Sequence, residues 1–548
     1  MGGGPGGSGD GLSSHSLFWS VVMSAFAAFG GILFGYDTGT IGGIIATQDY
    51  LTTFGAWDES LGYYLPTKDK SLVVSILSAG TFFGALFAYP LGDRIGRKYG
   101  IVTGCLVFFL GIGLQLDTKW VTFVVGRVIA GLGVGIVSCL VPMYQSECAP
   151  KAIRGLIVGL YQFAITIGAL LAAIVLNATK NQQSHNAWRT PISVQFAWGA
   201  ILGGGMLLLP ESPRFLLLKG KEAEARKALG RLLSKPADSP VVVEECRAVE
   251  MGLKLEHEAS TGTYFDCFRN NENRHGLRTW TGISLQAWQQ LTGINFIFYY
   301  GTTFFKSAGM KNPFVITIIC DVVNTAVTIC SLPFIDKIGR RRLLMIGAAG
   351  MCICEFIVAI VGVTAGDIQP DGSVNLVAQR VLIAFVCIYI AFFAMSWGPV
   401  AWVVTAELFP LSIRGKGMSL SVASNWLWNF GIGYATPYLV NPTTHGVNGE
   451  KAANLGVKVF FIWGGTCLGS LLFTYFFIPE TRGLSLEQID MVYRESSIIG
   501  SVGYRRTILE RAEQDRVDGG AGHLVEKDSE QKDASLHVHE EKKDGVAV

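Results

Sequence analysis

Long apolar segments separated by short polar ones run along most of the 548-residue chain. A helix needs about 20 predominantly apolar residues to cross the hydrocarbon core of a bilayer. Segments near or above that length lie at 17–45, 72–91, 99–116, 121–144, 156–177 and 191–209, and again at 280–305, 313–334, 343–364, 380–405, 417–440 and 456–478. The pattern predicts an all-α polytopic membrane protein with twelve transmembrane helices in two halves of six.

Polar segments set the predicted domain boundaries. A Gly-rich N-terminal tail (1–16) precedes the first six-helix half (17–209), and it lacks the basic region of a cleaved signal peptide. A polar linker (210–279) precedes the second half (280–478), and its "KEAEARKALGRLLS" predicts short helices. The polar, mixed-charge C-terminal tail (479–548) is expected to be mostly disordered, as is the N-terminal tail.

Composition excludes several function classes. Half of the residues are hydrophobic and 16% are charged, against about 25% charged residues in soluble proteins. The net charge of +2 gives no basic excess for nucleic acid, and the 11 cysteines are scattered singly, as buried hydrophobes rather than disulfides or metal ligands. There is no HExxH motif, P-loop or nucleophile–base spacing. We therefore expect neither an enzyme nor a cofactor.

Two basic loops predict the orientation. "GDRIGRKYG" (92–100) follows the second span and "DKIGRRR" (336–342) follows the eighth, so both lie on one side of the membrane. Lys and Arg are enriched in cytoplasmic loops. We therefore expect the linker and both termini to be cytoplasmic, and the membrane to be the plasma membrane.

The two halves repeat three motifs in the same order. "DRIGRK" (93–98) returns as "DKIGRR" (336–341), "SECAPKAIRG" (146–155) as "AELFPLSIRG" (406–415), and "PESPRFLL" (210–217) as "PETRGLSL" (479–486). The matches indicate a duplicated six-helix unit in parallel repeat. Such halves, with a central site between them, are typical of the major facilitator fold.

The motif set also resembles a known family. "DRIGRK", "PESPRFL", "QQLTGIN" (289–295), "GPVAW" (398–402) and "PETRGLSLEQI" (479–489) together resemble the sugar porters of the major facilitator superfamily, with fungal hexose transporters most similar. The resemblance runs from about residue 20 to residue 495. It implies transport of a monosaccharide, most simply glucose, by alternating access.

Amide side chains cluster in the seventh span. Gln286, Gln289 and Gln290 share one helical face, and Gly293 can loosen the turn that brings Asn295 to it. Amides both donate and accept hydrogen bonds, as hydroxyl groups do, and no ionisable group joins this cluster. The cluster therefore favours a neutral polyol, although the same amides could serve only to join neighbouring helices.

Further candidates lie in other spans. Trp402 offers a flat apolar face to a pyranose ring, although it could equally be a packing residue. Gln162, Asn324, Asn425 and Asn429 are polar within apolar spans. The resemblance implies that Gln162, Gln289, Gln290, Asn295, Asn324, Trp402 and Asn425 coordinate the sugar, with a less uniform role for Gln286 and Asn429. Where passive animal glucose carriers resemble "FFE", this chain has "FFA" (392–394), so its sugar preference can differ.

Charged residues at the basic helix ends form a candidate cytoplasmic gate. They are Asp93, Arg94, Arg97, Glu147 and Arg154 in the first half and Asp336, Arg340, Glu407 and Arg414 in the second. Charge-based orientation alone would explain their presence. The resemblance implies more, an inter-helix salt-bridge network that closes the inner side in one state and breaks in the other.

Asp37 lies within the apolar first span, where a charge is costly and marks a cavity or a partner. Gly31, Gly35, Gly39 and Gly43 form a stripe for close helix contact, and at 100° per residue Asp37 faces away from it. Arg127 in the fourth span is the expected partner. The pair is either a permanent structural pin or, as in the proton-coupled sugar porters that it resembles, a proton-coupling site.

These observations predict a membrane-embedded monosaccharide transporter that works as a monomer and couples transport to protons through Asp37 and Arg127. A passive hexose uniporter and a non-transporting sugar sensor on the same fold remain open alternatives. The expected partners are the sugar, protons and the lipid bilayer.

Overall fold

The computed structural model describes residues 22–23, 25–59, 62–148, 154–182, 184–259, 263–307, 312–365, 375–410, 413–440, 453–484 and 486–518. The first half contains α1 Phe29–Ile44, α2 Gln48–Phe54, a hairpin of β1 Ala56–Asp58 and β2 Gly62–Tyr64, α3 Thr67–Ile95, α4 Arg97–Gln115, α5 Trp120–Cys148, α6 Arg154–Thr179 and α7 Asn186–Leu208. The two strands are antiparallel, with Trp57 opposite Tyr63.

The second half follows a helical linker. The linker contains α8 Pro213–Leu218, α9 Glu222–Leu233, α10 Pro240–Ala259 and a 3₁₀ turn Tyr264–Phe268. The second half contains α11 His275–Leu291, α12 Ile294–Ser307, α13 Pro313–Ile338, α14 Arg340–Ala365, α15 Leu376–Met395, α16 Trp397–Leu408, α17 Arg414–Val440, a 3₁₀ turn Gly456–Lys458 and α18 Val459–Phe477. The motif "KEAEARKALGRLLS" forms the 12-residue helix α9.

Nine helical segments among the described residues are long and apolar enough to cross a membrane. The other three predicted spans are helical as well. In the first span, residues 25–27 are helical ahead of the 16-residue α1, with a turn at residue 28 between them. The seventh span is divided into α11 and α12, and α17 carries polar residues along its 27-residue length.

Glycines set the closest helix contacts. A methyl group built on Gly35 would lie 1.9 Å from the carbonyl oxygen of Ile165, and one built on Gly31 would lie 2.5 Å from that of Tyr161. Helix α1 therefore lies against α6 with its backbone almost in contact, which confirms the predicted glycine stripe. The halves meet mainly where α3 packs on α17 and α13 packs on α6.

Part of the C-terminal tail is folded. Helices α19 Leu486–Glu495 and α20 Ser501–Asp518 lie within the segment expected to be mostly disordered. Ile489 and Tyr493 of α19 are buried against Leu408 and Phe409, and Arg278 pairs with Asp490. These contacts dock the tail on the second half. The predicted N-terminal tail (1–16) and residues 519–548 lie outside the described residues.

Candidate functional site

A cavity of about 910 Å³, counted with its open mouth, lies between the two halves. Helices α1 and α6 form its wall on one side, and α11–α13 and α15–α17 form the other. It extends from Gln162 and Trp402 in the middle of the bundle toward Gly43 and Phe314, near the end of α1 and the start of α13. Its position is that of a central ligand site shared by both halves.

The break in the seventh span shapes one wall. Gly293 has φ +83, a left-handed conformation that glycine adopts without strain, and it separates α11 from α12. The break brings Asn295 back to the face of α11, where its side chain donates a hydrogen bond to Gln290. The sequence had indicated this role for Gly293.

Amide groups bond to one another around this break. Asn425 donates to Oε1 of Gln286 and of Gln289, at 2.7 Å each, and accepts a bond of 2.9 Å from Gln290. Gln289 also donates to the carbonyl oxygens of Trp397 and Gly398, at 2.8 and 3.1 Å. The network fixes the donors and acceptors of the wall before any ligand arrives.

Seven of the nine predicted substrate residues line the cavity: Gln162, Gln289, Gln290, Asn295, Asn324, Trp402 and Asn425. The other two, Gln286 and Asn429, lie behind these lining residues. Gln286 is bound to Thr405 and Asn425, while Asn429 accepts hydrogen bonds from Ser78 (2.6 Å) and Tyr299 (2.9 Å). They support the lining amides, and direct contact of these two with a sugar stays a prediction.

Aromatic side chains give the cavity its apolar surface. Trp402 lies edge-on to Tyr161, with ring centroids 6.0 Å apart. Phe34 and Phe393 line the cavity as well. Flat apolar faces beside amides suit a ligand that has hydroxyl groups and a C–H face.

Asp37 and Arg127 form a deeply buried ion pair. Nη1 of Arg127 donates to Oδ1 of Asp37 at 3.0 Å, and the two side chains are 1–2% exposed. Nε of Arg127 donates to the carbonyl oxygen of Val73 on α3 at 3.3 Å. Oδ2 of Asp37 has no hydrogen-bond partner among the described residues, and the Gln195 amide lies beside the carboxylate. The structure thus brings the predicted partners together.

Ion pairs cluster at the end of the bundle where α3 and α13 terminate. We call this end the basic end of the bundle. In the first half, Nε of Arg97 donates to both carboxylate oxygens of Glu147, at 3.0 and 3.2 Å, and Nη2 donates at 3.0 Å. Ser212 also donates to Glu147, and Asp93 lies 3.9 Å from Arg97. The pair joins α4 to α5.

Glu211 holds the start of α4 beside this pair. Its carboxylate accepts the backbone N–H groups of Arg97, Lys98 and Ser212, at 2.8–3.2 Å. Burial raises the pKa of Glu211 above its ordinary value, although these backbone donors and Arg97 act in the opposite direction. A carboxylate at a helix N-terminus is favourable because of the helix dipole.

The second half repeats the arrangement. Arg340 donates to Glu407 at 2.9 and 3.3 Å and pairs with Asp336 at 2.8 Å. Thr481 donates to Glu407 at 2.8 Å, and Glu480 accepts the backbone N–H of Arg340 at 3.0 Å. Glu480 and Thr481 thus stand where Glu211 and Ser212 stand in the first half.

Both ion pairs join helices of one half, and neither bridges the halves. The halves meet between the cavity and the basic end through a 2.9 Å hydrogen bond from Ser419 to the carbonyl oxygen of Ala85. Arg94 is exposed and forms no ion pair within the described part of the chain, and Arg414 donates to the Phe409 carbonyl oxygen. The side chain of Arg154 lies outside the described residues. A gating role for the whole set stays a prediction.

Asp321, on α13, also lines the cavity, so an ionisable side chain joins the lining residues although none belongs to the amide cluster of the seventh span. It lies three residues before Asn324 on α13 and therefore shares its helical face. That spacing is the sequence signal by which it could have been identified.

Comparison with known proteins agrees with this architecture. The family described as "Sugar (and other) transporter" matches residues 23–493. The major facilitator-type transporter ecdD of Aspergillus rugulosus is 48% identical over 87% of this chain and 87% of its own. The probable glucose transporter rco-3 of Neurospora crassa is 45% identical over 86% of this chain and 79% of its own.

A sensor and a solved symporter are also similar. The high glucose sensor RGT2 of Saccharomyces cerevisiae is 43% identical over 89% of this chain, and the matched part is 63% of the sensor. The proton:xylose symporter XylE of E. coli, bound to 6-bromo-6-deoxy-D-glucose, superposes with a TM-score of 0.72 and 28% identity, covering 88% of this chain and 99% of that structure. These likenesses confirm the predicted resemblance and the major facilitator fold.

Proposed function

The chain belongs to the sugar (and other) transporter family, and we propose that it carries a hexose such as glucose across a membrane by alternating access. The observation that supports this most strongly is the amide-lined cavity between the halves. Prearranged amides offer donors and acceptors to hydroxyl groups, and Trp402 offers a flat face to the ring. One chain encloses the whole cavity, which favours a functional monomer.

The extent of the cavity supports an outward-facing state. We place the basic end in the cytoplasm, because Lys and Arg are enriched in cytoplasmic loops. Ser419 and Ala85 join the halves between the cavity and that end, while the cavity extends toward the opposite end, where Lys180 lies 4.9 Å over the Phe314 ring. With both termini cytoplasmic in the plasma membrane, a sugar would enter this cavity from outside the cell.

Proton coupling is the second part of the proposal. Protonation of Asp37 would remove its charge and leave Arg127 buried without its partner, and breaking a buried ion pair in this way costs about 3–5 kcal/mol. The neighbouring residue Thr38 lines the cavity. A change in the ion pair would therefore act directly on the helix that forms one wall of the sugar site.

A hydrogen-bonded connection to the second half supports this coupling. Helix α3 carries both Val73, which accepts from Arg127, and Ser78, which donates to Asn429 at 2.6 Å. Asn429 in turn donates to Gln290 at 3.3 Å. The proton site and the sugar site thus share one chain of contacts across the halves.

A sugar sensor is the alternative, favoured by the 43% identity to RGT2. Uptake of labelled glucose into proteoliposomes that contain the purified protein separates the two functions. A transporter fills the vesicles, and the Gln290→Ala variant, which removes the bond to Asn425, is expected to fill them more slowly. Glucose binding by the purified protein without any uptake would favour the sensor.

A further inference from the structure

Helix α13 places two polar side chains, Asp321 and Asn324, one turn apart in the cavity wall. The spacing puts both on one helical face. Both residues are 3% exposed, so water outside the protein does not satisfy them. Asp321 belongs neither to the amide network of the sugar site nor to the Asp37–Arg127 pair.

The hydrogen bonds around α13 leave these two acceptors unused. Oδ1 of Asp321 and Oδ1 of Asn324 are buried without a hydrogen-bond partner among the described residues. On α11 of the same wall, by contrast, Oε1 of Gln290 accepts from both Asn295 and Asn429. Among the described lining side chains, Thr38 on α1 is the other one with a buried polar atom that lacks a partner, and its hydroxyl can donate as well as accept.

Neighbouring hydroxyl groups do not serve Asp321. The Thr317 hydroxyl, one turn earlier on α13, lies 3.1 Å from the Pro313 carbonyl oxygen and 2.9 Å from the Thr302 hydroxyl. No lysine, arginine or histidine of the described segments forms a salt bridge with Asp321. A buried polar oxygen without a donor is costly, so Oδ1 of Asp321 is an acceptor that a hydroxyl group in the cavity can satisfy.

We propose that Asp321 contacts the transported sugar beside Asn324 and accepts a hydrogen bond from one of its hydroxyl groups. This inference rests on the proposed transport of a hexose. It makes Asp321 a specificity-determining residue, because an acceptor selects for a donor at one ring position. A fluorine atom there cannot donate a hydrogen bond, whereas an ammonium group donates one and adds a favourable charge.

The test is a binding scan with monodeoxy-fluoro glucoses that displace labelled glucose from the purified protein. A buried acceptor that is left without its donor is costly, so one analogue should bind the wild type about 10- to 100-fold more weakly than glucose. In Asp321→Ala, fluorine at that ring position should no longer weaken binding. Fluorine at the other positions should weaken binding as it does in the wild type. Unchanged position dependence in Asp321→Ala would overturn the inference.

An amino sugar supplies a second readout through the isosteric variant Asp321→Asn. The glucose analogue with an amino group at the identified position should bind the wild type at least as tightly as glucose, and Asp321→Asn about tenfold more weakly. Equal binding of that amino sugar to both proteins would also overturn the inference.

Glu355→Gln is the matched control. Glu355 is a buried carboxylate of the same half that does not line the cavity, so its variant should keep the full analogue pattern. If the wild type binds no hexose, the proposed function fails. If the wild type shows a position-dependent pattern that Asp321→Ala does not alter, only this inference fails.

Discussion

Replacing Arg97 by methionine tests the role of the buried ion pair at the basic end. Arg97 and Glu147 have side chains that are 6% and 8% exposed. Methionine keeps the length of the side chain but removes the donors to Glu147, which then retains only Ser212. Removing one partner of a buried pair costs about 3–5 kcal/mol, because the other charge is left unpaired.

Glu147→Gln should be milder. Glutamine keeps an oxygen for Arg97 and Ser212, so the expected loss of unfolding free energy is about 1–3 kcal/mol. The second-half pair gives an internal comparison, because Glu407 is 21% exposed where Glu147 is 8% exposed. Arg340→Met should therefore cost less than Arg97→Met.

The assay is reversible unfolding in mixed micelles, or the order of apparent Tm values where unfolding is irreversible. Arg94→Met is the control, since exposed Arg94 should change the unfolding free energy by no more than about 0.5 kcal/mol. In the double variant that combines Arg97→Met with Glu147→Gln, the loss of unfolding free energy should be smaller than the sum of the losses in the two single variants. Equal losses in Arg97→Met and Arg94→Met would refute the reasoning.

Three further substitutions test the packing and the sugar site. Gly35→Ala should lower stability by about 1–3 kcal/mol, because its methyl group meets the Ile165 carbonyl oxygen. The control in the same Tm measurement is Gly204→Ala, because Gly204 has open space around it. Gly293→Ala should add about 1–2 kcal/mol of backbone strain at φ +83 and weaken glucose binding measured by displacement; unchanged affinity would contradict the role of the break. Trp402→Ala should weaken binding by up to about tenfold, and Trp402→Phe by less; equal affinity in both variants would contradict the ring contact.

Helical geometry explains why several site features were predictable from the sequence. At 100° per residue, the glycine stripe and Asp37 fall on opposite faces of α1. The structure accordingly places the stripe on α6 and Asp37 against Arg127. In the same way, the glycine in the apolar seventh span indicated that the helix breaks at Gly293.

The same periodicity cannot tell a lining side chain from one behind the wall. Asn425 and Asn429 share a helical face, yet Asn425 lines the cavity and Asn429 is bound to Ser78 and Tyr299. The difference arises from neighbouring helices, which one sequence does not position. The same limit applies to Asp321, whose place in the cavity wall depends on how α13 packs against its neighbours.

The repeat identified the charged residues but not their pairing. Each half carries one copy of the same Arg and Glu, so pairing within a half and pairing between halves look alike in sequence. Only the fold places Glu147 beside Arg97 and Glu407 beside Arg340. The break in the tenth span at Ser396 was missed as well, although Pro399 fits the first turn of a new helix.

The most direct test of the central claim is glucose uptake into proteoliposomes with and without an imposed inward proton gradient, for wild type and Asp37→Asn. If Asp37 carries the proton, the gradient drives the wild type to accumulate glucose above equilibrium, while Asp37→Asn only equilibrates it. If both proteins merely equilibrate the sugar, the account of coupling is contradicted, and Asp37 with Arg127 is a structural pair in a passive carrier.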